Sequence, residues 1–384
     1  MAPAIEVRPV RTAKERRAFV CFPWRIYQGD PCWVPPILRE RAARLDPRRN
    51  PFFRHGEGDF FMAWRGPTPL GTVGVATDHD VNRALGQGVA VFGFFDCVQE
   101  WPAAQALLDR AATWARERGL PLLRGPQSFG PADEPGLLIH GRQTPPVLLM
   151  GWSPPYYVGY LERYGFAKHS DSLAYRAYTA DYMGEDGQFG LPAKLQRAVE
   201  LVRRRMGPPV RLRAGDLARW DEELGVALRV YNRALAGLPE FSPMDEGEWR
   251  RQGALLRPLL DPDLIVFVEV EGQPVGFGLA MPDLNGALRR CHGLRFPWHY
   301  GLLWWYSRRL SGVTFKIMAM LPEYWGHGLD ALIYARIAET CVRKGYRWMD
   351  MSLTGEDNPT TNRLAQRMGA RLDKRYRIYQ LRLP

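Results

Sequence analysis

The sequence predicts an α/β (α+β) chain built from two mixed domains related by duplication, and three observations predict it. Its 384 residues are more than twice the roughly 150 of an average domain. The order β-β-β-α-β-α-β reads twice along the chain. In each half a glycine-containing apolar strand leads into the same D-x-N-x-A-L turn: Pro69–Ala76 into Asp80–Leu85, and Pro274–Ala280 into Asp283–Leu288.

The elements follow in order. In the first half, Val89–Cys97 reads as a strand. Pro102–Arg118 reads as an amphipathic helix with Ala103, Ala106, Leu107, Ala111 and Trp114 on one face, stopped by Gly119, and Leu122–Gly125 is the next strand. In the second half the same places fall to the strand Val313–Met320, to the helix Gly328–Lys344 with Leu329, Leu332, Ile333, Ile337 and Cys341 on one face, and to the strand Arg347–Ser352. A further helix and strand close each half, through Glu162–Phe166 and through Gln366–Ala370. Asp181–Pro209, with a helix at Leu191–Met206 and Gly207-Pro-Pro209, reads as the connection. The expected domains are therefore 1–180 and 209–384, with 181–208 as a helical linker.

Composition narrows the function classes. Hydrophobic residues make up 46% and charged residues 24%, so the chain can build cores and is not disordered. Net charge is +11, and only six of the 52 basic side chains are lysine, which favours an anionic partner. The arginines are dispersed, with short clusters at Arg203–Arg205, Arg289–Arg290 and Arg308–Arg309, and no basic stretch is interleaved with aromatics; nucleic acid is not the expected partner. Five cysteines without CxxC spacing read as buried thiols, and Asp78-His79-Asp80 lacks a spaced partner, so no metal site is expected. No apolar run approaches the ~20 residues of a membrane span and no leader pattern is evident. The expected location is cytoplasmic, with contact to the inner face of the membrane.

The sharpest local signal is Leu321–Asp330, LPEYWGHGLD, between an apolar strand and a helix start. Gly326 and Gly328 let the backbone approach a ligand, and free N–H groups at a helix N-terminus make a phosphate cradle. Neither a P-loop nor a dinucleotide fingerprint is present. A tight strand-to-helix turn without ligand fits the same residues.

The strand–turn–helix with Glu323–Gly328 resembles the [QR]-x-x-G-x-[GA] acyl-CoA-binding motif of the GNAT N-acyltransferase superfamily, with Glu323 where Gln or Arg is usual. Asn362–Gly369 resembles that superfamily's later N-x-x-A…G helix, without the tyrosine often found there as general acid, and Tyr160–Phe166 resembles its Y-E-K-x-G-F segment in the first half. After Val91–Asp96, however, Cys97–Pro102 offers no glycine pair. Across most of the chain, Phe92–Asp96, Arg124–Gln127, Asp133–Leu137, Pro154–Tyr157, Pro282–Asn285, Glu356–Asn358 and Tyr376–Tyr379 are similar to a bacterial tandem-GNAT family of the kind that includes bacterial ceramide synthases, which N-acylate a sphingoid base. The resemblance implies two GNAT-like domains, each a mixed, mostly antiparallel sheet flanked by helices, of which the first has lost its cradle. It implies an acyl-CoA co-substrate, or an acyl carrier protein donor, held along Ala319, Met320, Leu321, Tyr324, Trp325, Gly326, His327, Gly328, Leu329 and Asp330, with Asn362 nearby. It also implies a lipid-like amine acceptor entering between the domains.

Amide formation needs a proton acceptor and oxyanion stabilisation. Glu356, beside Asp357, is the first candidate base; the pair equally fits the N-terminus of the helix after Asn358-Pro359. His299 is the second candidate base, or a packed histidine. Asp283 and Asn285 suit an amine or hydroxyl, although Asp80 and Asn82 repeat them in the half without a cradle, as turn-forming side chains would. Trp304 and Trp305, within the aromatic run Phe296–Leu310, suit an acyl-lining or lipid-facing helix, or a core helix. Acetyl transfer to a small or protein amine, and a non-catalytic binding role, stay open as alternatives.

Overall fold

The computed structural model describes residues 3–129, 136–206, 209–237 and 243–384, so part of the Asp133–Leu137 motif and Gly207-Pro208 lie outside the described residues. The chain divides into two compact units: Met1–Leu173 with Asn285–Arg308 and Lys374–Pro384, and Ala174–Leu284 with Arg309–Asp373. Thirteen strands are present among the described residues: β1 (Ile5–Pro9), β2 (Gly56–Arg65), β3 (Thr68–Asp78), β4 (Val89–Cys97), β5 (Leu122–Gly125), β6 (Leu137–His140), β7 (Ala167–Tyr178), β8 (Val210–Ala214), β9 (Ile265–Val270), β10 (Gln273–Pro282), β11 (Gly312–Met320), β12 (Trp348–Gly355) and β13 (Arg371–Arg382).

In the first unit β1-β2-β3-β4 is an antiparallel meander, β4 and β5 run parallel, and the end of β13 returns antiparallel to β5 and β6. Side-chain alternation sorts β2 onto two cores. Phe61 and Ala63 pack with the helix Trp101–Arg116, whereas Phe60 and Met62 join Phe19, Phe94 and Phe129 on the other face. A one-residue bulge in β4 shifts its register between Thr72↔Asp96 and Gly74↔Gly93, with Phe94 at φ +49°. The extra residue reverses the parity: Ala90 and Phe92 face the helix before it, Phe95 and Cys97 after it.

The second unit repeats the plan. β8-β9-β10-β11 is antiparallel and β12 runs parallel to β11. β11 carries its own one-residue bulge, since Leu279 opposes Ile317 while Ala280 opposes Phe315, leaving Lys316 as the extra residue. The helix Leu329–Arg343 covers one face with Leu332, Ile333, Ile337 and Cys341 buried, and the Phe315 ring lies 4.7 Å from that of Tyr334. The strands of each unit are thus mixed in direction and mostly antiparallel.

The units cut the chain differently from the expected boundaries 1–180, 181–208 and 209–384. The linker helix expected over Leu191–Met206 spans Ala193–Met206 and belongs to the second unit, where its apolar stripe, Leu195, Val199 and Val202, is buried. Asn285–Arg308 belongs to the first unit, where the Asn285 amide donates to Pro146 O at 2.9 Å and Arg289 donates to Pro31 O at 2.9 Å. Lys374, 2% exposed, donates to Gly141 O and Thr144 O, placing the last strand segment there as well. Among the described residues no helix is long and apolar enough to cross a membrane.

Ile337 is fully buried under the second sheet. Ile337→Ala should cost about 2–5 kcal/mol through lost burial and a residual cavity, read as a lower urea midpoint for the second unit.

Candidate active site

The site begins where two strands part. β11 and β12 pair for three residues only, Gly312↔Trp348, Val313↔Met349 and Thr314↔Asp350. Thr314 Oγ1 lies 3.3 Å from Asp350 Oδ1 at the vertex. Beyond it β11 stays paired to β10, yet its burial drops at Lys316, Ile317 and Met318 before returning at Ala319. The opening therefore coincides with the bulge.

Sequence reasoning missed the group at that vertex. Lys316 lies partly buried with Asp350 and Asp283, both almost fully buried, acting on it. Burial lowers the lysine to about 8, and attraction by Asp350 and then Asp283 opposes that shift. The available signal was a lysine inside the apolar run Phe315–Met320, in a chain with only six lysines, and an aspartate inside the apolar run Trp348–Met351. Asp283, a sequence candidate, also donates its N–H to Gly312 O at 2.9 Å.

β11 leads into the turn. Pro322–Tyr324 forms one 3₁₀ turn, and Gly326 (φ +77°) and Gly328 (φ +80°) then take left-handed conformations before the helix Leu329–Arg343. The N–H groups of Tyr324, Trp325 and His327 donate to Leu321 O, Pro322 O and Tyr324 O. Among the described residues no recorded hydrogen bond uses the N–H of Gly326, Gly328 or Leu329. Three amides are thus free at the positive end of a four-turn helix, a geometry suited to a diphosphate. A Cβ at Gly328 would sit 2.6 Å from Val202 Cγ2, whereas nothing lies within 4 Å of one at Gly326.

The other turn residues are placed as follows. Ala319, Met320, Leu321 and Leu329 bury their side chains, so only their main chain can meet a ligand. Several of those main-chain groups are engaged: Trp325 Nε1 donates to Met320 O at 2.6 Å, the Leu321 N–H donates to Val275 O at 2.9 Å, and Leu321 O accepts from the Tyr324 N–H. Tyr324 is half-buried and His327 exposed, with their rings in edge contact. Asp330 Oδ1 accepts from the Ala331 N–H at 2.9 Å, and burial pushes its carboxyl up. Glu323 accepts from Arg233 Nη2 at 2.8 Å in an exposed ion pair.

Glu356 is exposed at the end of β12, two residues before Asn358, which caps the helix Pro359–Arg367 by accepting from the Thr361 N–H. Asn362 donates to Gly355 O at 2.9 Å, and its Oδ1 is buried without a partner among the described residues. Asn285, His299, Trp304 and Trp305 belong to the first unit. Asn285 is held by Pro146 O, His299 is buried against His292, Phe296 and Trp298, and Trp304 and Trp305 are exposed. Asn285, His299, Trp304 and Trp305 thus fall in the unit without the glycine turn, although the expected domain bounds had put them within 209–384.

In the first unit β4 and β5 also part after three pairs, Val89↔Leu122 to Val91↔Arg124. The opening holds a cavity of about 200 Å³ lined by Trp33, Phe94, Phe95, Leu137 and Trp152, with Asp96 accepting from Tyr27 Oη at 2.8 Å and Arg41 Nη2 at 3.1 Å. The following helix starts at Trp101-Pro102 without a glycine turn.

No protein-family model matches the chain. A protein of Caulobacter vibrioides named bacterial ceramide synthase is 30% identical over 385 residues, covering 98% of this chain and 97% of that one. Protein YghO of Escherichia coli is 28% identical over 381 residues, covering 97% and 94%. Among solved structures, a tandem GNAT protein from the clavulanic acid biosynthesis pathway superposes with a TM-score of 0.59 at 13% identity over 99% of each chain. A GCN5-related N-acetyltransferase from Sphaerobacter thermophilus superposes with a TM-score of 0.53 at 13% identity, over 100% of this chain and 97% of that one. At these identities the solved structures speak to the fold.

Gly328→Val combines a strained φ with a collision at Val202, and Gly326→Ala only the strain. Coenzyme A affinity by calorimetry should fall about tenfold or more in the first and by less in the second; equal affinities in both and the parent would remove the turn from the site.

Proposed function

Because the chain belongs to the bacterial tandem-GNAT acyl-CoA N-acyltransferase family, of the kind that includes bacterial ceramide synthase, we propose that it transfers a long-chain fatty acyl group to a primary amine resembling a sphingoid base. The observation that carries this reading is the junction of a parted parallel pair with a turn of unengaged amides: a thioester arm and a diphosphate need those two features side by side. The second unit holds the donor. The amides of Gly326, Gly328 and Leu329 take the diphosphate, and β11 beyond its bulge meets the pantetheine arm. Arg203, Arg204 and Arg205 end the helix whose Val202 abuts Gly328, adding positive charge beside the turn. That charge suits the phosphates of coenzyme A.

The reaction breaks the thioester C–S bond, forms an amide C–N bond and releases coenzyme A as the free thiol, so the proton that the attacking amine must lose is balanced by the one the leaving thiolate takes up. Lys316, neutral above about 8, accepts that proton, and Asp350 and Asp283 steady the lysinium it becomes. Glu356 is the alternative base at the end of β12. Metal and covalent intermediates are unnecessary, because orientation and main-chain polarisation supply the acceleration.

One observation favours the acetyl-transfer reading instead. The apolar cavity between Trp220, Leu224, Trp249, Phe277, Leu279 and Ile317 is small, about 50 Å³. A long chain would have to part the helices Trp220–Leu235 and Glu246–Leu256 from the sheet. Thiol release measured over acyl-CoA chain lengths with a sphingoid base as acceptor decides between them: activity confined to acetyl-CoA sinks the lipid reading.

Lysine is charged below its pKa, so kcat/KM should rise with pH through about 8. Lys316→Met should abolish that limb and lower kcat about a hundredfold or more, while Lys316→Met with an unchanged pH profile would transfer the role to Glu356.

A further inference from the structure

The aromatic run singled out in the sequence forms a helix, Trp298–Ser307, in the first unit. Its amphipathicity is inverted. His299 is its buried residue, with Leu303 and Tyr306 half-buried on the same side, i, i+4 and i+7. Trp298, Tyr300, Leu302, Trp304 and Trp305 face outward, Trp298 at 64% exposure and Trp304 at 57%, and the exposed Phe296 ring stacks on Trp298 at 4.6 Å. Scattered apolar side chains on a surface need no explanation, but a contiguous aromatic face this size marks an interaction surface.

Charge identifies the partner. Residues 285–308 contain no Asp or Glu, and carry Arg289, Arg290, Arg295 and Arg308. The Arg308 guanidinium lies 3.9 Å over the Trp304 ring and that of Arg290 lies 4.8 Å over Tyr306, so the cations border the rings. Ten residues make a helix about 15 Å long, half the thickness of a hydrocarbon core of about 30 Å, so it cannot span a bilayer and can lie in its surface. Indole and phenol rings with polar edges suit the headgroup level, and arginines at their border suit phosphates. The rings occupy a convex helix face rather than a groove, which a deformable lipid surface covers more readily than a rigid protein.

We propose that the helix Trp298–Ser307 with its flanking arginines is an interfacial docking element for an anionic phospholipid bilayer. The inference is independent of the acyl transfer proposed above: it concerns where the chain resides, whichever acyl chain it carries.

The test uses the full chain with vesicles of phosphatidylcholine, alone or with about one third phosphatidylglycerol. Co-sedimentation should require the anionic lipid and weaken with salt. Hydrogen exchange of the unaltered protein should slow over 296–308 when those vesicles are added, a readout that needs no variant. The exposed triple variant Trp298→Ser/Trp304→Ser/Trp305→Ser, checked by circular dichroism, should lose affinity about tenfold or more. Arg290→Gln/Arg295→Gln/Arg308→Gln should lose the preference for anionic lipid. Equal binding to both vesicles, or unchanged binding by the aromatic variant, overturns the proposal. So does a concentration-dependent dimer, or a complex with an acidic acyl carrier protein, that the aromatic variant abolishes while vesicles leave 296–308 unprotected.

Discussion

Two parallel strands that pair at three positions among the described residues and then separate are the constraint on which the proposed site depends. A continuous β11/β12 ladder would consume the polar groups of both strands and leave no place for a ligand's main-chain contacts. The bulge at Lys316 supplies the change of twist at that point, and it also aims a lysine that would otherwise alternate with its neighbours. A charge so placed is costly unless countered. Asp350 at the vertex and Asp283 at the end of β10 are the counter-charges, and both are almost fully buried. Strand geometry and electrostatics are one feature here.

The turn after β11 shows how a departure in sequence is accommodated. Glu323 puts a carboxylate at the rim of the proposed diphosphate turn, which by itself repels phosphate. Arg233, from the helix Trp220–Leu235, pairs with it. An exposed pair of this kind is worth about 0–1 kcal/mol, so its consequence is local charge rather than stability. The amides of Gly326, Gly328 and Leu329 remain the positive feature of the turn, with Val202 fixing how closely Gly328 can be approached.

Much of the fold was legible because helix periodicity and strand alternation are local. The two helices 101–116 and 329–343 lie within two residues of where the pattern put them, and the duplication extends to the paired bulges. What was hidden depends on pairing at long range. No local signal says that Lys374–Pro384 completes the first unit, or that Asn285–Arg308 packs there through Pro146 and Pro31. The turn at Gly326–Gly328 was visible because glycine spacing encodes backbone shape. Lys316 and Asp350 were not, because a single polar residue in an apolar strand reads as alternation until a bulge and a neighbouring strand bring two such residues together. The repeated D-x-N pattern misled in a different way. Asn82 bonds Thr77 and Val89 to shape its own turn, whereas Asn285 reaches Pro146 in a distant part of the sequence.

The duplication also gives a reason to place the proposed chemistry in one unit. Both units keep the parted strands and the bulge, but they treat the buried charge differently. In the first, Asp96 accepts from both Arg41 and Tyr27 within the unit. Removing either partner would leave a buried carboxylate that burial already pushes toward its neutral form. Such a cluster holds a shape and has little freedom to exchange protons. In the second, a lysine poised near neutrality faces two carboxylates at the mouth of an opening whose next turn presents free amides. One half of the repeat has closed its charges on itself, while the other keeps the proposed proton acceptor in the same unit as the proposed diphosphate turn, and group transfer needs the second arrangement.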